Sequence, residues 1–187
     1  MSGAAPRLRE ITLDDIELVD GWDRSPDAHG PFNDFGLPHR SIREAALEGR
    51  LLGEGGGNLL VEASDGMPIG TVSWHGVTYG PNPESRAWNI GISLIPEARG
   101  HGYGAQVQRQ LAERLFATTT ANRVEASTDV ENVAEQRALE KAGFAREGVQ
   151  RAAQWRGGAW HDLVTYALTR DDLSETSGAT DRSGASE

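Results

Sequence analysis

The residues best suited to chemistry lie in one run, Leu94-Ile95-Pro96-Glu97-Ala98-Arg99-Gly100-His101-Gly102-Tyr103-Gly104. Its glycines let the backbone curl tightly and admit a ligand at close range. A segment of helical periodicity follows. The first turn of a helix leaves its N–H groups without intrahelical partners, and the helix dipole is positive there. Together these make an anion cradle able to hold a diphosphate through backbone amides, without a lysine. A P-loop would need Gly-Lys-Ser or Gly-Lys-Thr, but Ala105-Gln106 follows the last glycine. The spacing Gly100-x-Gly102-x-Gly104 also differs from the G-x-G-x-x-G of dinucleotide sites.

Other candidates are more scattered. His75 falls in a strand-like stretch, and an imidazole is a suitable base near neutral pH. Its plainer reading is a partly exposed strand histidine. Asn132-x-x-Glu135 has the spacing of a helix capping box, with Asn132 as the cap and Glu135 three residues on. Phe32, Asn33, Asp34 and Phe35 sit in a stretch dense in Pro, Gly, Asn and Asp. That stretch, residues 25–40, reads as a long loop of the kind that often carries function. An aspartate there suits an ammonium group, or equally a turn held by its own side chains. His39 and His101 are not spaced as metal ligands, so no metal is expected. With no cysteine, thiol nucleophiles, zinc–thiolate sites and disulfides are excluded.

The elements that must position these residues follow from periodicity. Residues 8–12 suit a short strand, and Asp14 or Asp15 can cap a helix carrying Ile16, Leu18, Val19 and Trp22. Ser41 and Glu44 have capping-box spacing for a second helix. Strands are expected over 58–63 and 69–77. Over 88–94 strict alternation sets Trp88, Ile90, Ile92 and Leu94 against Asn89, Gly91 and Ser93. Tyr103, Val107, Leu111 and Leu115 then recur at helical spacing. A strand over 123–128, a helix over 133–142 stopped by Gly143, and a hairpin of 144–155 with 160–168 complete the chain. The expected fold is a mixed α/β sheet, covered by about four helices, around a βαβα core. Trp74, Trp88, Trp155 and Trp160 suit sheet packing, with Trp74 also a candidate for an acceptor pocket.

Arg99, Gly102 and Gly104 fill the three defined places of (Gln/Arg)-x-x-Gly-x-(Gly/Ala), the acetyl-CoA pyrophosphate loop of the GNAT superfamily of N-acetyltransferases, which this run resembles. A second stretch, Asn132 followed by Arg137-Ala138-Leu139-Glu140-Lys141-Ala142-Gly143-Phe144, resembles another segment of that family. Arg146-Glu147-Gly148 and Gly157-Gly158-Ala159-Trp160-His161-Asp162 point further to its branch of ribosomal-protein N-terminal acetyltransferases, the RimJ/RimL-like enzymes. The resemblance covers roughly residues 58–168. It implies a mostly antiparallel sheet with one splayed parallel strand pair, acetyl-CoA as cosubstrate and an amine acceptor. It implies direct transfer, with acetyl-CoA in the gap between strands 88–94 and 123–128. Ser93, Leu94 and Ile95 would meet the pantetheine, residues Arg99, Gly100, His101, Gly102, Tyr103 and Gly104 the pyrophosphate, and Asn132 the cofactor arm. Phe32, Asp34, Phe35 and Trp74 would serve the acceptor.

The sequence departs from the family at its proton-handling positions. Asn89 stands where relatives often carry a glutamate, and Glu135 where they often carry a serine. Asn89 cannot take a proton, and Glu135 could donate one only with a raised pKa. His75 is a candidate for the base, with water-mediated proton transfer as the alternative. The two departures also suit a CoA-binding sensor without turnover.

Composition bounds the rest. The chain has 187 residues, enough for one domain with its own core, expected over 7–170 between a flexible segment 1–6 and a disordered tail 174–187. A formal charge of −10 disfavours nucleic acid and favours cationic partners. The first residues lack a signal-like apolar stretch, and no run reaches the roughly 18 apolar residues of a membrane span. A soluble, cytoplasmic monomer or homodimer is expected.

Overall fold

The computed structural model describes residues 5–37 and 41–173. The expected tail 174–187, residues 1–4 and His39 lie outside them. Pro6 is buried, and its carbonyl accepts a 2.8 Å hydrogen bond from Gln110, so order begins ahead of the first strand.

The strands are β1 (Arg7–Glu10), β2 (Leu52–Gly53), β3 (Gly56–Glu62), β4 (Pro68–Thr78), β5 (Arg86–Leu94), β6 (Arg123–Asp129), β7 (Ala145–Arg156) and β8 (Ala159–Thr169). They form one sheet in the order β1-β3-β4-β5-β6-β8-β7, with β2 added beside β3. Every pairing is antiparallel except β5 with β6. The helices are α1 (Ile16–Asp23), α2 (Pro26–Asn33), α3 (Arg43–Leu47), α4 (Tyr103–Thr118) and α5 (Val133–Lys141). The helix beyond the expected four is α2, which occupies the stretch read as a loop. Ser25 precedes it and Pro26 opens it, a favoured first position. Gly30, at φ 64°, and Pro31 break it in the middle, which is why its sequence lacks a helical signature.

The apolar stripe of α4 lies on the sheet as periodicity requires. Val107, Leu111 and Leu115 are buried with Leu59, Val61, Val72, Ile90 and Val124. Leu139 of α5 joins the same cluster with Val164 and Tyr166 of β8. Helices α4 and α5 therefore share one face of the sheet. Burial of this order, at about 25 cal/mol per Å² of apolar surface, is the main stabilising term.

Two local expectations are corrected. Ser41 does not form a capping box with Glu44: its hydroxyl donates to Asp20, and Ile42 occupies the cap position of α3. Trp155 and Trp160 are not packed under the sheet. They stand 56% and 63% exposed at the hairpin tip, edge to face with ring centroids 5.3 Å apart. No helix among the described residues is long and apolar enough to cross a membrane.

Candidate functional site

The site begins at the splay between β5 and β6. Only Trp88 with Val124 and Asn89 with Glu125 pair across that seam. Beyond them, β5 stays paired with β4 as far as Leu94, and β6 with β8 as far as Asp129. Each strand follows its outer neighbour, and their inner edges diverge. The backbone groups on those edges are left for a ligand that itself carries amides.

The glycine run closes the wide end. Gly100 and Gly102 adopt φ 79° and 82°, and Gly102 is the N-cap of α4. Left-handed backbone costs any other residue roughly 1–2 kcal/mol, which explains the glycines. A Cβ at either position would meet no protein atom within 4 Å, so the space beside them belongs to whatever binds there. Sixteen residues of α4 aim their dipole at this point, and its first turn holds no acidic side chain. Gly104 brings the helices together, with Ala138 3.6 Å from where its Cβ would stand.

Between these elements lies a cavity of about 460 Å³. It gathers Ser93, Leu94, Arg99, Gly100, Gly102, Gly104, Asn132, Glu135 and Phe32, which the sequence had scattered over a hundred positions. Three of the cofactor candidates do not line it. Ile95 commits its amide to the Ile69 carbonyl at 3.0 Å. His101 points to solvent beside Tyr103, and the Tyr103 ring packs towards the core. The cavity suits a diphosphate-bearing, amide-bearing ligand: backbone donors and a helix N-terminus at one end, unpaired strand edges at the other.

The acetyltransferase (GNAT) domain model matches residues 7–145. The chain belongs to the GNAT acetyltransferase family. It is 28% identical over 102 residues to the uncharacterized N-acetyltransferase YoaA of Bacillus subtilis, covering 54% of this chain and 55% of that protein, little more than half its length. The fold also resembles Mycobacterium smegmatis RimJ in complex with CoA-disulfide, with TM-score 0.75, 21% identity, and coverage of 90% of this chain and 83% of that one. Spermidine N-acetyltransferase from Vibrio cholerae, in complex with CoA and spermine, gives TM-score 0.75, 18% identity, and coverage of 90% and 98%.

Within this GNAT domain a second cavity of about 460 Å³ lies across β5 from the first, and the two share Ile92 and Ser93 as a common wall. Asp34 and Phe35 line this second space with Asn33, Ser73 and Gly91. Asp34 also accepts the Gly36 amide at 2.9 Å, so the turn expected of it is present as well. Alternation puts His75 and Asn89 on the Ser73 and Gly91 side of the sheet, directly opposite each other in the β4–β5 register. The same alternation corrects Trp74. It points to the α4 side with Val72, partly buried against the core, and lines a separate space with Trp88 and Leu115. Trp74 is a packing residue and faces neither cavity of the site.

Two residues of the first cavity's lining, and one at the β5–β6 seam, escaped the sequence reading. Arg137 and Lys141 line the first cavity from α5, four residues apart on one face. Helical spacing with Ala134 and Ala138 was the available signal. Glu125 is buried, in parallel register with Asn89, and accepts from the Tyr79 hydroxyl at 2.6 Å and from Arg123 Nε at 2.8 Å. Nothing local in the sequence announces that pairing.

Asn132 caps α5, its side chain accepting the Glu135 amide at 3.3 Å. The reciprocal half of the capping box is missing, because the Asn132 amide goes to the Asp129 carbonyl at 2.9 Å. The Glu135 carboxyl turns instead towards the cavity. Desolvation pushes its pKa up to about 7, opposed by a hydrogen bond from the buried Gln108, whose amide also donates to the Gly104 carbonyl at 3.1 Å. A carboxyl held in this way keeps its proton close to neutral pH.

Proposed function

We propose that the protein is an acetyl-CoA-dependent N-acetyltransferase acting on a primary amine by direct transfer in a ternary complex. The observation that carries this reading is the pair of cavities on either side of β5, joined at Ile92 and Ser93. One suits the acyl donor and the other opens onto the thioester from the acceptor side.

In this reading the α4 N-terminus, Gly100 and Gly102 hold the diphosphate, with Arg137 and Lys141 supplying positive charge. Residues 93–94 and Asn132 hold the arm. Holding the acceptor nitrogen against the thioester carbonyl makes the bimolecular step effectively intramolecular. The nitrogen attacks, the C–S bond breaks, and the amine loses one proton while the departing thiolate gains one. Asn89 and His75 lie on the acceptor face of the sheet outside the lining of the second cavity, so His75 takes the amine's proton through water. Glu135, protonated near neutral pH, supplies the thiolate's proton in place of the serine that relatives carry. That source of protons favours turnover over a sensor role. Asp34 and the net charge of −10 favour a cationic acceptor. The acceptor is a protein N-terminus, as in the RimJ/RimL-like branch, or a small polyamine or aminoglycoside.

The test is calorimetric titration with acetyl-CoA, followed by thiol release over spermine, kanamycin and a peptide with a free α-amino group. Micromolar binding with thiol release on one class establishes the enzyme and its acceptor. Binding without release on any of them returns the sensor reading, and no binding removes the assignment of the glycine run.

A further inference from the structure

A third space, which shares Phe32 and Arg99 with the first cavity and Asp34 with the second, is walled by the arginine of a buried ion pair that the transfer chemistry does not use. Asp129, the last residue of β6, is 3% exposed, and Arg156, the last residue of β7, is 5% exposed. Arg156 Nη2 donates to Asp129 Oδ2. His161 completes the cluster, with Nδ1 3.2 Å from Arg156 Nη2 and Nε2 3.1 Å from the Arg156 carbonyl. His161 Nδ1 also lies 3.2 Å from Asp129 Oδ2. Burial raises the pKa of Asp129, but the Glu131 amide and the Arg156 guanidinium outweigh it and keep the carboxyl below its ordinary range.

Buried ion pairs add little net stability compared with apolar residues of the same volume. What this one does is join two lips. On one side, Asp129 Oδ1 accepts the Glu131 amide at 2.8 Å and the Asp129 carbonyl accepts the Asn132 amide at 2.9 Å, fixing the turn that presents Asn132 and α5. On the other, Arg156 Nη1 donates to the Phe32 carbonyl at 3.3 Å, and the guanidinium lies 5.5 Å from the centre of the Phe32 ring. Phe32 belongs to α2, whose helix is interrupted at Gly30 and Pro31 and so cannot hold its own second half in place. Its first half is tied from the glycine loop, where Arg99 Nη2 donates to the Asp27 carbonyl at 3.1 Å.

We propose that Arg156, oriented by Asp129 and His161, is the positioning residue that seats the second half of α2, and Phe32 with it, against the mouth of the acyl cleft and so sets acceptor capture. This rests on the acyltransferase reading of the cleft. The planar guanidinium reaches the carboxylate, the imidazole and the carbonyl together, which an ammonium cannot do.

The experiment uses the full chain with Arg156→Lys and Phe32→Ala. It reads amide hydrogen exchange over residues 26–37, acetyl-CoA affinity, and kcat and KM for whichever of spermine, kanamycin or the free peptide the wild type acetylates. For Arg156→Lys, exchange over 26–37 should rise about tenfold and acceptor KM about tenfold, with kcat and acetyl-CoA affinity within about twofold. Phe32→Ala leaves the ion pair intact but removes a side chain that lines the first cavity, so it should weaken acetyl-CoA binding less than it raises acceptor KM, which keeps the test decisive should Arg156→Lys fold poorly. Wild-type exchange over 26–37 in Arg156→Lys, or an unchanged acceptor KM in Phe32→Ala, overturns the positioning role. So does a fall in acetyl-CoA affinity as large as the rise in KM. Failure of the wild type to bind acetyl-CoA is a separate result that removes the cleft assignment, while the exchange comparison still decides whether Arg156 seats α2.

Discussion

The two sides of β5, proposed above as the donor and acceptor sides, are built by different means. The donor side, from Leu94 through α4, β6 and α5, is made of backbone: left-handed glycines, a helix N-terminus, diverging strand edges and a capped turn. The acceptor side is made of long-range side-chain contacts. Arg99 reaches Asp27 across 72 positions, Arg156 reaches Phe32 across 124, and Ser41 reaches Asp20 across 21. Backbone constraints demand particular residue types at fixed spacings. Side-chain ties demand only that two distant residues meet. The donor side should therefore be intolerant of single changes and the acceptor side tunable.

The sharpest way to break that contrast is Gly102→Val. Valine is forced into φ 82° and projects into the open space that the proposed function gives to the diphosphate. Acetyl-CoA affinity should fall by about 100-fold or more, roughly 2.7 kcal/mol, with a stability cost of about 1–2 kcal/mol. Calorimetry alongside thermal melting separates the two effects, and retained affinity would contradict a backbone-built donor site.

Trp74→Ala comes next. With the indole packed against Gly57 and Leu52 on the helix-covered face, truncation should cost about 2–3 kcal/mol in denaturant unfolding. Acceptor KM should not change. A selective KM effect would return Trp74 to the acceptor site.

Glu135→Gln probes a donor-side group that works through its side chain. A carboxyl whose folded pKa lies near 7, above the ordinary 4.5, favours folding below about pH 4.5, and that contribution is lost as the pH rises through 7. The glutamine variant should gain about 1–3 kcal/mol over wild type at pH 8 and little at pH 4. If Glu135 donates the thiolate's proton, kcat should also fall about tenfold at pH 6.5, and the wild-type decline of kcat above pH 7 should flatten. A pH-independent stability difference would place the carboxyl in solvent.

How much was legible in the sequence follows the same division. The alternation of residues 88–94, the stripe of α4 and the stop at Gly143 each reflect a short-range rule, and strands, helices and the glycine loop came out in order. The two halves of α2 did not, because Gly30 and Pro31 remove the periodicity that marks a helix, and contacts from Arg99 and Arg156 hold the segment in place. Trp155 and Trp160 read as core residues from their type alone, yet they lie beyond the last helix that could cover them. Glu135 was read as half of a capping box that does not form, because the Asn132 amide is taken by the Asp129 carbonyl, and its desolvation was not legible, since Gln108 comes from another helix. Trp74 shows the limit of a residue-type argument against a parity argument: one position along β4 decides which face it serves.

The smallest expected effect lies at Ala152, in the irregular stretch of β7, where φ is 47° and the amide donates to Asp162 Oδ1 at 2.7 Å. Replacement by glycine should relieve the left-handed strain and raise stability by about 0.5 kcal/mol, after the loss of chain entropy. A drop in melting temperature would mean that the alanine methyl is needed there.

The seam between β5 and β6 is stitched at only two residue pairs, and this has a thermodynamic consequence. The sheet is two plates joined along a short weld, and in the proposed function acetyl-CoA would fill the gap between them. At a hundred times its dissociation constant it would add about 2.7 kcal/mol to the folded state. The empty protein should then melt first along that weld, and saturating acetyl-CoA should raise the temperature at which it opens.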